Sequence, residues 1–263
     1  GSQNCRHVWA EFICRLSAIN CAKPPMTRKS KPTYKPDPQA GETAPSIRAE
    51  QPYLNLVQHY EQCFAAHGPT HRGVDWPNEA DLETRFDVML DIIPASAPDA
   101  SGTAHLLDLG CGPGLLLDHL AERDHYPFDA YQGIDLSVPM IDAARERHPE
   151  AAFLVRDILS DPLPRQSFDY VILNGVLTER RDLSFETMEI FAIEILTAAF
   201  AAAREGVAFN VMSPFVDWER DDLFHWPFER MMKALLPLTR YIRIRADYGL
   251  REYTTYLYRH AQR

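Results

Sequence analysis

Residues 106–114 read LLDLGCGPG: a short apolar run, an acid, then three glycines at every second position. A strand followed by a turn without side chains lets the backbone of a ligand approach closely. A second strand-like run, YQGID, ends in Asp135, 21 residues after Gly114. Together these read as the nucleotide end of an open α/β sheet, in which an acid one strand over grips a ribose. The glycine spacing then separates two cofactor classes. A dinucleotide fold wants Gly or Ala at the sixth position of G-x-G-x-x-G. Counted from Gly110, that position is Leu115, and the third glycine arrives one residue early, at Gly114. An NAD(P) oxidoreductase is therefore disfavoured.

The rest of the chain continues the alternation. Strand-like runs at 105–109, 131–135, 152–155, 168–173 and 206–212 have helical patterns between them at 114–122, 138–147 and 185–203. Each connection is long enough for a βαβ crossover, which predicts a parallel sheet with helices on both faces. Upstream, Tyr53, Leu56, Val57, Tyr60 and Phe64 recur at helical spacing and predict an amphipathic helix over 50–66. Leu82, Phe86, Met89 and Leu90 share one face of a second helix over 80–93. The end departs from this pattern: runs 241–247 and 252–259, with a tight turn around Gly249, predict a hairpin.

The pattern D-x-G-x-G-x-G resembles the first motif of the class I S-adenosylmethionine (SAM) methyltransferases. The likeness spans roughly residues 80–260 and looks closest to bacterial small-molecule enzymes of the trans-aconitate and quinone-biosynthesis type. It implies an α/β fold with a seven-stranded, mostly parallel sheet, a terminal antiparallel hairpin and helices on both faces. It implies SAM as cofactor, S-adenosylhomocysteine as product, and no metal. In family terms Gly110, Gly112 and Gly114 pass under the methionine moiety, while Asp108 orients the loop. Asp135 takes the ribose diol, with Leu136 and Met140 as apolar walls for adenine. Ser137 is the better cap for the helix that follows. Asp157 in FLVRDIL is placed to accept from the adenine amine, beside the Ile158 amide. Asn174, at the end of FDYVILNGVLT, faces the sulfonium and the substrate mouth. The Asn/Asp-Pro-Pro-Tyr/Phe signature of enzymes that methylate base or glutamine amino groups is missing.

Two segments outside these motifs carry unusual chemistry. HGPTHRGVDW gathers His67, His71, Arg72, Asp75 and Trp76 around two glycines. By the resemblance, this region (46–95) caps the cofactor. Arg85 or Arg72 would pair the SAM carboxylate, and Trp76 or Tyr60 would exclude water. The alternative is an ordered turn with Trp76 as a core plug. After the fifth strand, residues 213–237 are rich in aromatics and acids and form an expected acceptor-side insertion. Phe215, Trp218, Phe224, His225 and Trp226 are candidate walls, and Arg72 a candidate substrate contact. His67 and His225 are the candidate general bases; a plain aromatic cluster is the alternative. In-line alignment and desolvation of an activated sulfonium can suffice without a base.

Charge bounds the partners. The net charge is −10; residues 1–50 carry +4, leaving −14 on the remainder. A body that acidic disfavours a large nucleic-acid substrate. The opening Gly-Ser reads as a vector scar, Met26 as a possible natural start, and residues 1–45 as a disordered, Pro- and Lys-rich tail. Residues 46–263 then make one domain. Three of five cysteines (Cys5, Cys14, Cys21) lie in the tail, leaving Cys63 and Cys111 in the fold, with neither a disulfide framework nor zinc spacing. A cytoplasmic monomer or homodimer without membrane partners is expected. The leading reading is a SAM-dependent methyltransferase of a small-molecule acceptor. A protein or RNA methyltransferase docking through the basic tail, and a non-catalytic SAM-binding protein, stay open.

Overall fold

The computed structural model describes residues 51–94, 104–122, 128 and 130–262; the expected tail and its three cysteines lie outside them. Two helices come first, α1 (Leu54–His67) and α2 (Glu79–Leu90), separated by a 3-10 turn at Arg72–Val74. Then follow β1 (His105–Leu109), α3 (Leu115–Ala121), β2 (Ala130–Asp135), α4 (Val138–Arg147), β3 (Ala152–Val155) and β4 (Phe168–Leu173). The chain closes with α5 (Phe185–Ala202), β5 (Ala203–Met212), α6 (Phe228–Leu235) and the hairpin β6 (Tyr241–Arg245) and β7 (Glu252–Tyr258).

The strands make one sheet in the order β3-β2-β1-β4-β5-β7-β6. The first five pair in parallel, and β7 lies antiparallel between β5 and β6. The expected fold class is the one that forms. Chain order reverses between β1 and β4, so the loops after these two strands leave in opposite directions. A crevice opens there, at the carboxyl edge.

Residues alternate between the two sides, as the two-residue period of a strand requires. Leu107, Leu109, Val171, Leu173, Phe209 and Val211 pack with Phe191, Ile195 and Ala199 of α5. Leu106, Ile172, Ala208 and Tyr256 face Phe86 and Met89 of α2 and Leu116 and Leu120 of α3 on the other side. Fully burying one such Leu or Phe stabilises the fold by about 1.5–3 kcal/mol.

Side-chain caps start the helices where the sequence supplies them. Asn78, Ser137 and Ser184 accept from the backbone amides of Ala80, Met140 and Thr187. β5 begins at Ala203, three residues earlier than its pattern predicts, with no loop after α5. Two terminal carbonyls of α5, on Ala201 and Ala202, accept from Gln166 and Ser167. The helix end therefore needs no glycine cap, and the chain turns straight into the strand.

Candidate active site

The turn after β1 is held to the end of β2. Gly110 sits at φ +82° and Gly112 at φ +53°, a region that side chains resist. At Gly110 a Cβ would also stand 2.3 Å from Val176 Cγ2, so nothing larger than hydrogen fits. The Ile134 carbonyl accepts from Gly110 N at 2.7 Å and Cys111 N at 3.2 Å. Asp135 completes the tie: Oδ2 accepts from Gly112 N at 2.8 Å and Oδ1 from Ser137 N at 2.9 Å. Burial pushes the Asp135 carboxyl above its usual range, and these backbone amides oppose that rise.

Asp108 stands behind the turn, not in it. It is buried, accepts from Tyr131 Oη at 2.9 Å, and does not line the cavity. Burial raises its carboxyl to about 7, with the Tyr131 hydrogen bond opposing. Gly114 is also outside the lining; it opens α3 against His148, Ala144 and Phe153.

The cavity occupies the crevice at the carboxyl edge, with about 940 Å³ of space including its open mouth. Gly110, Gly112, Asp135, Leu136, Met140, Asp157, Ile158 and Asn174 all line it, although up to 64 residues separate them in sequence. Tyr60 of α1 and Trp76, just past the 3-10 turn, line it as well. Asn174 Oδ1 is buried with no hydrogen-bond partner. A buried acceptor left unpaired costs about 1–3 kcal/mol, so this atom marks a place where a ligand donor gains.

The roof contains residues that the sequence pattern left as ordinary helix positions. Tyr53, at the head of α1, stacks on Phe191 of α5 with ring centroids 5.0 Å apart. Its hydroxyl donates to Asp157 Oδ2 at 2.8 Å, and burial together with that bond lifts the phenol to about 12. Gln51 Nε2 and Ser160 Oγ donate to the same oxygen, while Oδ1 accepts from Leu159 N. Three donors crowd Oδ2, while Oδ1 takes one and keeps its second acceptor position open. Tyr60 Oη donates to the Gly175 carbonyl at 3.2 Å. Leu56, Val57, Val74, Val176 and Ile195 complete the apolar wall. The helical spacing of Tyr53, Leu56, Val57 and Tyr60 marks a buried face; the family resemblance implies the cover over the cofactor and names Tyr60, and the structure adds Tyr53.

Arg85 is placed one layer outside the cavity. Its guanidinium lies 3.6 Å from the Trp76 ring centroid, and its Nε donates to Glu252 Oε2 at 2.9 Å. Glu252 Oε1 accepts from Asn210 Nδ2 at 3.0 Å, and Asn210 Oδ1 accepts from Gly175 N at 2.8 Å. Arg85 is therefore spent on Glu252 and on backing Trp76, while its Nη1 has no partner. The reading of Arg85 as a direct cofactor contact gives way to a supporting position.

Other candidates lie apart from the cavity. His67 and Arg72 are exposed and line a separate depression with Glu79, Asp118 and His119. Trp226 is fully buried against Phe209 and Phe224, its indole donating to Glu189 Oε1, so it belongs to the core and not to a substrate wall. Phe215 and Trp218 are exposed and outside the lining, stacked on Phe228 and edge-on to His225 respectively. His225 Nδ1 donates to the Ser213 carbonyl at 2.7 Å, which leaves Nε2 as a buried lone pair without a partner.

A family described as "Methyltransferase domain" matches residues 106–188. A trans-aconitate 2-methyltransferase of Paracidovorax citrulli is 41% identical over 78 residues, 29% of either chain. A protein of Mycobacterium tuberculosis that carries a methyltransferase name is 34% identical over 151 residues, 56% of this chain and 88% of that one. The chain belongs to the class I SAM-dependent methyltransferases. SAM is the cofactor of this family. The fold agrees: magnesium protoporphyrin IX methyltransferase of Synechocystis, with bound S-adenosylhomocysteine, superposes with a TM-score of 0.54 at 15% identity. That match covers 79% of this methyltransferase and the whole of the other chain. The chain spans only 29% of the length of the trans-aconitate enzyme it matches, so that enzyme's acceptor does not transfer with the likeness.

Proposed function

We propose that this methyltransferase binds SAM in the carboxyl-edge cavity and methylates a small organic acceptor by direct displacement at the methyl carbon. The observation that carries the reading is Asn174 Oδ1. It is a buried acceptor without a partner, in a cavity that also presents the glycine turn and Asp135. When bound, the cofactor supplies a methyl carbon activated by the positive sulfonium.

The side chains divide the remaining work. Gly110 and Gly112 let the amino-acid tail pass close to the backbone. The free lone pairs of Asp135 accept from the ribose hydroxyls, with the carboxylate already aimed by two amides. Leu136, Met140 and Ile158 sandwich the adenine, whose amine uses the open position on Asp157 Oδ1. Asn174 accepts at the polar end of the cofactor or the acceptor. Tyr53, Tyr60 and Trp76 close the cleft against water, so that alignment and desolvation drive transfer.

Three features support a small acceptor over a macromolecule: the roof of α1 over the cavity, the net charge of −10, and relatives named for trans-aconitate methylation. Neither His67 nor His225 lines the cavity, so no base is assigned and transfer rests on alignment and desolvation. The test is transfer of a labelled methyl group from SAM by the full chain into separate small-metabolite, protein and RNA fractions. Label in the small-metabolite fraction is expected. Label confined to protein or RNA would favour tail docking, and cofactor binding without any labelled product would favour a non-catalytic role.

A further inference from the structure

Outside the cavity, folding gathers three metal-ligating side chains that the sequence keeps apart. His59 and Cys63 stand four residues apart on one face of α1, and Asp75 follows the 3-10 turn. Their ligand atoms all lie within 4.8 Å of one another, and all three residues are half-buried. His59 Nε2 is 2.7 Å from Asp75 Oδ2 and 3.8 Å from Cys63 Sγ. Asp75 is held at φ +60°, in the left-handed region, which turns its carboxylate back toward α1.

We propose that His59, Cys63 and Asp75 form a binding site for a soft-preferring divalent cation of the zinc class, which clips the Arg72–Trp76 turn to α1. Thiolate plus imidazole selects such ions over magnesium or calcium, which prefer oxygen alone. The His59–Cys63 distance is close to that of a tetrahedral set. Zn–N of about 2.0–2.1 Å and Zn–S of about 2.3 Å place nitrogen and sulfur about 3.5 Å apart, against 3.8 Å observed. The His59–Asp75 separation must open from its hydrogen-bond value of 2.7 Å to about 3.3 Å. Binding replaces that hydrogen bond: His59 carries its proton on Nδ1, and the Cys63 thiol proton leaves to solvent as the sulfur–metal bond forms.

The surroundings agree with added positive charge. The nearby cations are already paired, Arg181 with Glu179 at 3.5 Å and Asp222 at 3.3 Å, and Arg220 with Asp222 at 2.5 Å. Glu179 is buried beside Arg181, and Asp222 lies against the same guanidinium, so carboxylates are crowded here. A fourth position is left for water or a further donor. The consequence is mechanical. α1 carries Tyr60 and the turn carries Val74 and Trp76, so the clip joins two parts of the cavity wall.

The probe is Co²⁺, and separately Zn²⁺, added to chelator-treated full chain. One equivalent of Co²⁺ should bind with a near-ultraviolet thiolate-to-cobalt absorption. The melting temperature should rise by about 5–10 °C with metal a hundredfold above Kd. Cys63→Ser should abolish the band, and His59→Ala should weaken binding at least about tenfold. No band in the wild-type chain, or a band that survives in Cys63→Ser because another cysteine carries it, would overturn the site. A band without thermal gain would overturn the clip. None of these outcomes depends on whether a methyl group is transferred.

Discussion

Asp135 offers the sharpest separation between holding the loop and holding the cofactor. Its carboxylate has four acceptor positions, two of them taken by Gly112 N and Ser137 N at 2.8 and 2.9 Å. The remaining two are what the ribose diol would use. Asp135→Asn keeps the size and one oxygen but removes the charge and sets an amide donor against one of these partners. Hydrogen bonds to a charged group contribute about 1.5–3 kcal/mol, so SAM affinity should fall by roughly 10- to 150-fold. Asp135→Ala should weaken SAM at least as much. It also leaves both buried amides unpaired, at about 1–3 kcal/mol each, so it should lower folding stability by roughly 2–6 kcal/mol. Calorimetric titration of SAM and urea unfolding, run on both variants, read the two effects separately. A folded Asp135→Asn protein that binds SAM within about threefold of wild type would refute the ribose assignment.

Three further outcomes follow from buried groups and tight approaches. Asp108, raised to about 7 by burial, binds its proton more tightly in the folded than in the unfolded chain. Its contribution is present below the unfolded value near 3.8 and is lost as pH rises through about 7, a loss on the order of 4 kcal/mol. Asp108→Asn should flatten the melting temperature across that window, and an unchanged slope would remove Asp108 as its source. Gly110→Ala meets Val176 and a φ of +82°, so it should destabilise the fold and weaken SAM binding by at least about tenfold. Adding Val176→Ala should recover the clash but not the backbone part, measured as a double-mutant cycle. Glu252→Gln removes the negative charge beside the buried Arg85 and should cost about 3–5 kcal/mol in urea unfolding, with SAM affinity falling as Trp76 loses its backing.

Much of the lining of the candidate site was legible because class I motifs are local. Gly110, Asp135, Asp157 and Asn174 each sit where a strand-like run stops, and a parallel sheet brings such ends to one edge whatever lies between them. Adding a roof needed contacts that no local pattern encodes. Tyr53 reaches Asp157 across 104 residues, and Arg85 reaches Glu252 across 167. Arg85 stood near the cap at a plausible spacing for a carboxylate contact, but a buried glutamate on the last strand claims it first. Trp226 misled for another reason. Its segment also carries acids and a histidine, which suggests a surface wall, yet α5 and β5 offer it an apolar seat and Glu189 satisfies its indole nitrogen. The His59–Cys63–Asp75 group shows the same limit: two ligands share a helix face, and the third arrives only through the turn.

The most direct measurement is a crystal structure of the full chain with S-adenosylhomocysteine. The account predicts the ribose diol on Asp135, adenine between Leu136, Met140 and Ile158, and a hydrogen bond to the unpartnered Asn174 Oδ1 from the ligand or a water it orders. A ligand seated elsewhere, or one in the cavity that leaves Asp135 and Asn174 uncontacted, would contradict it.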